Sequence, residues 1–184
     1  SLYGINIEAE DDEAEVRITG PGSLYAEGFN DGIYTSVRLA IADGAQVKAE
    51  GDWDMGTAIS ASAVTISGRE TVVMLSAGIS TLHASSLTLE DDLTFWPEGA
   101  HFGTYTYTNY YSGDEWEEIG IVDADGNGIL QEWVIIASQD YITGVQSPLS
   151  SGEGWGEAYN LAGQRVGKDY KGIVTRNGRK VLKK

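Results

Sequence analysis

Four segments of the chain can be set under one another: VRITGPGSLYAEG from Val16, LAIADGAQVKAEG from Leu39, VTISGRETVVMLS from Val64 and LTLEDDLTFWPEG from Leu87. Their offsets are 23, 25 and 23 residues. Each opens on alternating apolar positions: Val16 and Ile18, Leu39 and Ile41, Val64 and Ile66, Leu87 and Leu89. A turn bearing Gly or Asp follows, then a second alternating pair: Leu24 and Ala26, Val47 and Ala49, Val72 and Met74, Phe95 and Pro97. Between segments lies a third short stretch, in which Tyr34, Ile59 and Leu82 align, as do Ser36, Ala61 and Ala84. A period of two places each column on one face of a strand, and a longer fixed period stacks strands into ladders. Three short strands per repeat, kept in phase, predict an all-β fold: a short right-handed parallel β-helix of three to four coils of 23–25 residues, whose coils bury one another's inward residues. Ile5 and Ile7 read as remnants of an earlier turn. The competing arrangement is an antiparallel sandwich with evenly spaced strands.

The outward columns, Ala40, Thr65 and Thr88, or Thr35, Ser60 and His83, are mostly small and hydroxylated. No Asp or Glu column stands beside His83, so it reads as a solvated surface group; His101 reads as a loop residue. A solenoid must end, and an uncapped last coil invites edge pairing. We therefore expect β-helix repeats over residues 1–103 and an antiparallel β cap of hairpins over 104–145, the second hairpin being EIGIVDADGNGILQEWVIIAS. A linker follows at 146–158, then a C-terminal β module at 159–184.

Charge separates these parts. Eight of the twelve Lys and Arg residues fall in the last twenty positions, where Asp169 alone opposes them, a charge of +7. Residues 1–164 keep four basic and 27 acidic residues, a charge of −23, within a net −16. Such a body repels nucleic acid and anionic lipid, because binding either requires cations that displace counterions. Zero Cys excludes disulfides, thiolate nucleophiles and thiolate metal sites. No apolar run approaches the roughly 18–20 residues that span a bilayer. A start at Ser1 rather than Met leads us to expect a trimmed or mature form, from which a leader or upstream domains have been removed. Oligomeric state is not legible.

Three patterns could carry chemistry. DADGNGIL, from Asp123 to Leu130, matches the first half of an EF-hand loop with Asp123, Asp125, Asn127 and Gly128. Position twelve is Val134 instead of a bidentate Glu, and the flanks are β-branched. A hairpin turn is favoured, with a weak calcium site as the lesser alternative and no other cofactor. The acidic runs Glu8–Glu15 and Glu90–Asp92 read as solvated surface. Aromatic residues make the third pattern: Trp53 and Asp54 in the loop EGDWDMG, Trp96 at the end of the fourth segment, and Tyr105, Tyr107, Tyr110, Tyr111 and Trp116 beyond it. Rings flanked by Asp, Asn and Gly suit sugars, stacking on the sugar face while carboxylates accept its hydroxyls; they equally suit packing over a solenoid end. Trp53, Asp54, Trp96, Tyr110 and Trp116 are the candidate ligand residues.

Catalysis finds little footing. A polysaccharide lyase or hydrolase needs a cationic base beside a bound uronate or paired carboxylates across the scissile bond. The repeats offer Arg17, Arg38, Lys48 and Arg69 but no carboxylate ladder, and no Ser/His/Asp spacing, phosphate loop or metal-binding His pair occurs.

The tail YNLAGQRVGKDYKGIVTRNGRKVLKK parses into short strands broken by turns, with an Asn177–Gly178 hairpin signal and an apolar set of Leu161, Val166, Ile173, Val174, Val181 and Leu182. Its pattern, Tyr159-Asn160-Leu161 with Gly163-Gln164-Arg165-Val166, then Lys171-Gly172-Ile173 and Asn177-Gly178-Arg179-Lys180-Val181, resembles the C-terminal module of many secreted and cell-surface proteins of Gram-negative anaerobes of the gut and mouth. It also resembles the C-terminal signals read by type IX secretion. The resemblance covers 26 of 184 residues. The repeats resemble the short right-handed β-helices of bacterial carbohydrate-binding and adhesion-like surface proteins, which often bind calcium; the regular acidic positions of calcium-binding coils are missing here. These resemblances imply a location outside the cell or on its outer surface and a non-enzymatic role in recognising a glycan or a matrix component. The alternatives are a fragment of a β-helical polysaccharide-active enzyme and a structural spacer.

Overall fold

The computed structural model describes residues 1–146 other than 12 and 110, together with 158–160, 165–166, 172–176 and 179–183. The chain is nearly all β and begins as the expected parallel β-helix. Its first coil is β1 (Tyr3–Ile7), β2 (Glu15–Thr19) and β3 (Ser23–Glu27). The second is β4 (Asp31–Thr35), β5 (Arg38–Ala42) and β6 (Gln46–Glu50), and the third β7 (Thr57–Ser60), β8 (Val64–Ile66) and β9 (Val72–Ser76). A fourth pass supplies β10 (Ser80–His83), β11 (Leu87–Leu89) and β12 (Leu93–Trp96). Like strands stack into three sheets, β1-β4-β7-β10, β2-β5-β8-β11 and a third that begins β3-β6-β9.

The inward columns of the second sheet run as the repeat predicts, Val16–Leu39–Val64–Leu87 and Ile18–Ile41–Ile66–Leu89. Leu39, Val64, Ile41 and Ile66 are sealed from solvent, and full burial of such a side chain contributes about 1.5–3 kcal/mol. Their first-coil counterparts Ile5, Val16, Ile18 and Leu24 are only partly buried, because they have a neighbouring coil on one side. Tight corners join the second and third sheets. There Gly20, Asp43, Gly44, Gly68, Asp91 and Asp92 all take positive φ, the region open to Gly and tolerated by Asp. Corners stitch together across coils: the Gly68 amide donates to the Asp91 carboxylate at 2.7 Å.

Two columns differ from the sequence reading by one residue. In the third sheet Val47 pairs with Val73 and Ala49 with Leu75, so Val73 and Leu75 point inward while Val72 and Met74 do not belong to those columns. The turn before β9, residues 67–71, is longer than the 43–45 turn before β6, and a one-residue slip exchanges every side chain between faces. In the first sheet Ile33, not Tyr34, aligns with Ile59 and Leu82; Tyr34 joins Ser60 and His83 outside, and Thr35 is buried.

The cap is also built differently. β13 (His101–Thr108) and β14 (Glu115–Val122) form the first hairpin, with Tyr107 opposite Trp116. It closes the last coil: Ile121 joins the main core, Ser80 Oγ donates to the Ile119 carbonyl at 2.7 Å, and the Tyr105 hydroxyl donates to the Ile79 carbonyl. The expected second hairpin does not form. After the Asp123 loop the Ile129 amide bonds back to the Ile121 carbonyl at 2.9 Å, and the chain then turns away at Gln131, whose φ is 62°. β15 (Val134–Ser138) inserts antiparallel between β9 and β12, giving the third sheet the order β3-β6-β9-β15-β12. Ile136 pairs with both Val73 and Phe95 and is fully buried. The fourth segment therefore does not stack on β9. Insertion satisfies the outer edge of β9, which would otherwise expose unpaired backbone groups.

Residues expected to finish the β cap instead form α1 (Gln139–Gln146), with Asp140 in its first turn, where a carboxylate complements the helix dipole. Residues 140–184 form a second compact unit. Within it β16 (Ala158–Asn160), β17 (Arg165–Val166), β18 (Gly172–Arg176) and β19 (Arg179–Lys183) make an antiparallel sheet of order β17-β16-β18-β19. The strands fall where the tail's turn signals separate them. The Asn177–Gly178 turn and linker residues 147–157 lie outside the described residues.

Candidate functional site

Ala26 and Ala49 face the core, so their neighbours Tyr25 and Glu27 on β3, and Lys48 and Glu50 on β6, face out. Parallel register extends this into rows across the third sheet: Tyr25, Lys48, Met74, Ile135 and Trp96 in one, and Glu27, Glu50 and Ser76 in the next. The corners after these strands differ in length. Three residues join β3 to β4 and β9 to β10, whereas six, Gly51–Gly56, join β6 to β7. The excess is extruded as a turn that Asp52 holds: its Oδ1 accepts the amides of Asp54 at 3.0 Å and Met55 at 3.2 Å, and its carbonyl accepts the Gly56 amide at 3.1 Å. Trp53 at the tip is 62% exposed. The turn is seated on the next coil, where a Cβ at Gly78 would lie 2.1 Å from the Trp53 carbonyl oxygen. Gln131 Nε2 secures it from the other side, donating to that oxygen at 3.1 Å.

A groove of about 680 Å³ lies against this turn. Its lining includes Ser1, Glu27, Phe29, Glu50, Asp52, Trp53 and Trp133, together with the corner residues Gly28, Gly51 and Ala77. Phe29 is 52% exposed. The insertion of β15 delivers Trp133, the residue just before it, beside Lys48, whose Nζ sits 4.6 Å from the Trp133 ring centroid and 4.8 Å from that of Tyr25. The same ammonium lies 2.5 Å from Glu50 Oε1. The Tyr25 hydroxyl donates to Glu27 Oε2 at 2.7 Å. That bond, with the charge of Glu50 adding to it, raises the Tyr25 phenol above its ordinary range and keeps it protonated at neutral pH.

Of the candidate ligand residues that the structure describes, only Trp53 lines this groove. Asp54 turns the other way and clasps the hairpin: its carboxylate accepts the Tyr111 hydroxyl at 3.2 Å and its carbonyl that of Tyr107 at 3.4 Å. The Tyr111 phenol is raised by that carboxylate. Trp96 occupies the far end of the outward row, on the last strand of the sheet. Trp116 is on β14, its ring 4.8 Å from that of Tyr107 and its indole N–H donating to Glu118 at 3.3 Å. Tyr105 and Tyr107 are buried as packing residues of the cap. Tyr110 lies outside the described residues.

The Asp123 loop is organised as a turn. Asp123 Oδ1 accepts the amides of Asp125 and Asn127, both at 2.9 Å, and Asn127 Nδ2 donates to Oδ2 at 3.2 Å. These bonds, those from Asn127 foremost, hold the Asp123 carboxyl below the usual carboxylate range. Asn127 Nδ2 is thus engaged by Asp123, and no group of three His, Cys, Asp or Glu residues placed to hold a metal occurs among the described residues. His83 is exposed, and its Nδ1 lies 2.6 Å from Glu118 Oε1, within hydrogen-bond distance.

Sequence reasoning missed Glu27, Phe29, Lys48, Glu50 and Trp133. The signal for the carboxylates was present: Ala-Glu-Gly recurs at 26–28 and 49–51 at one corner of successive coils. Trp133 carried no such signal, since its place depends on the insertion of β15.

No protein-family model matches the chain. Neither the curated proteins nor the solved structures give a significant match.

Proposed function

We propose that the chain is a non-enzymatic recognition protein that works outside the cell or on its surface, and that the groove beside Trp53 takes a carbohydrate. The exposure of Trp53 on a turn fixed by Asp52, Gln131 and the seat at Gly78 carries this reading. A large ring held out in water sacrifices burial that a purely structural turn would keep, and a groove combining aromatic walls with a few polar groups suits a small ligand. Ring faces stack on the C–H faces of a sugar, while carboxylates accept hydroxyl hydrogens in charge-assisted bonds. Location rests on the tail pattern, whose strands form an antiparallel sheet.

Glycan-array screening of the whole chain, followed by titration of the hits, tests the reading. Binding lost in Trp53→Ala but kept in Trp116→Phe is expected. Absence of binding to every glycan would overturn it, and release of reducing or unsaturated ends from a polysaccharide would replace it with an enzymatic role.

A further inference from the structure

The electrostatics of the groove go further than its shape. Three carboxylates, Glu27, Glu50 and Asp52, line it, with the α-ammonium of Ser1 as the cationic group of the lining and no basic side chain. Lys48, just outside the lining, pairs with Glu50, while Glu27 is met by the neutral hydroxyl of Tyr25. A ligand in the groove therefore faces aromatic rings and more carboxylates than cations. The carboxylate of an approaching uronate, or a sulfate ester, would be repelled, and the charge of −23 over residues 1–164 strengthens that bias at long range.

The same wall already holds one ammonium. Lys48 Nζ is bracketed by the Tyr25 and Trp133 rings at 4.8 and 4.6 Å and by Glu50 at 2.5 Å, the combination of π-faces and carboxylate that stabilises an alkylammonium. Phe29, Trp53, Glu27 and Asp52 repeat these ingredients in the lining of the same groove.

Resting on the carbohydrate reading, we propose that the groove selects glycans bearing free amino groups, so that a protonated amino sugar places its ammonium among Trp53, Phe29, Glu27 and Asp52. An N-acetylated or neutral sugar can still stack but brings no charge. A cation–π contact of about 1–2 kcal/mol corresponds to about a tenfold or greater preference for the amine.

Calorimetric titration of the whole chain tests this with five probes: a chito-oligosaccharide with free amines, its N-acetylated counterpart, a cello-oligosaccharide, an oligogalacturonate and oligolysine. The amine-bearing sugar is expected to bind about tenfold tighter than the acetylated and neutral ones. The preference should shrink with salt and on raising pH above the amine's pKa, and should collapse in Glu27→Gln. Oligogalacturonate should not bind. Equal binding of free-amine and acetylated sugars, or preference for the uronate, would overturn the amine selectivity while leaving carbohydrate recognition standing. Binding of oligolysine alone would overturn both, and binding of no probe would overturn the amine selectivity.

Discussion

The placement of Trp133 depends on β15 lying between β9 and β12, which engineered cysteines can test directly because the chain contains none of its own. Met74 and Ile135 are register partners on adjacent antiparallel strands. Such pairs sit about 4.5–5.5 Å apart at Cα, inside the range of about 4.4–6.8 Å that a disulfide spans. Met74 and Trp96 share the same outward row but have β15 between them. Two strand spacings of about 4.8 Å put them about 9.6 Å apart, beyond the limit of about 7 Å. Under mild oxidation Met74→Cys/Ile135→Cys should lose both thiols, and Met74→Cys/Trp96→Cys should keep them in the monomer. The first bridge closes a loop of about 60 residues, for which chain entropy predicts up to about 4 kcal/mol of stabilisation, read as a rise in urea midpoint lost on reduction. Stacking of the fourth segment directly on β9, as the repeat suggests, gives the reverse pattern. Cross-linking of Met74 to position 96 but not to 135 would refute the insertion and remove Trp133 from the groove.

Other substitutions probe the core, the site and a titrating group. Leu75→Ala should cost about 3 kcal/mol in urea unfolding, because Leu75 is fully buried between β6 and β15; Met74→Ala on the outer face should cost about 1 kcal/mol. Equal losses would contradict the register. Gly78→Ala should cost about 1–3 kcal/mol and weaken glycan binding, since the new methyl displaces the Trp53 turn; unchanged binding would show that the seat does not set the groove. Asp31 gives a pH signature. Burial pushes its carboxyl up to about 6 from an ordinary 3.8, with the His83 charge pulling the other way. Between those values the folded state binds the extra proton, so this group's contribution declines as pH rises from about 4 to about 6 and levels above. After allowance for solvent screening the change is about 1 kcal/mol, seen as the difference between wild type and Asp31→Asn across a pH series of unfolding curves. An identical pH dependence in both would refute it.

What the sequence made legible follows from the range over which each feature is determined. The β-helix is a strictly local pattern repeated, so Leu39, Ile41, Val64 and Ile66 revealed both period and face. Errors appeared where a turn changed length. The longer Ser67–Thr71 turn slipped β9 by one, trading Met74 for Leu75, and the connection into β4 exchanged Tyr34 for Ile33. Trp53 was visible because the second corner is longer than its neighbours. Its partners were not: Glu27 and Glu50 look like solvated positions until the corners stack, and β15 carries no mark of which strands it will join. Asp54 misled because a carboxylate beside an exposed Trp resembles a ligand group, while its real partners, Tyr107 and Tyr111, lie more than fifty residues away.

The account turns on which tryptophans meet the ligand, and indole N–H resonances report this residue by residue. The chain has five Trp, assignable in a ¹⁵N–¹H spectrum by single Trp→Phe substitutions. Titration with the free-amine chito-oligosaccharide should shift the Trp53 and Trp133 signals together and leave Trp96 and Trp116 in place. Shifts confined to Trp116, or no shift in any indole at saturating ligand, would contradict the groove as the binding site.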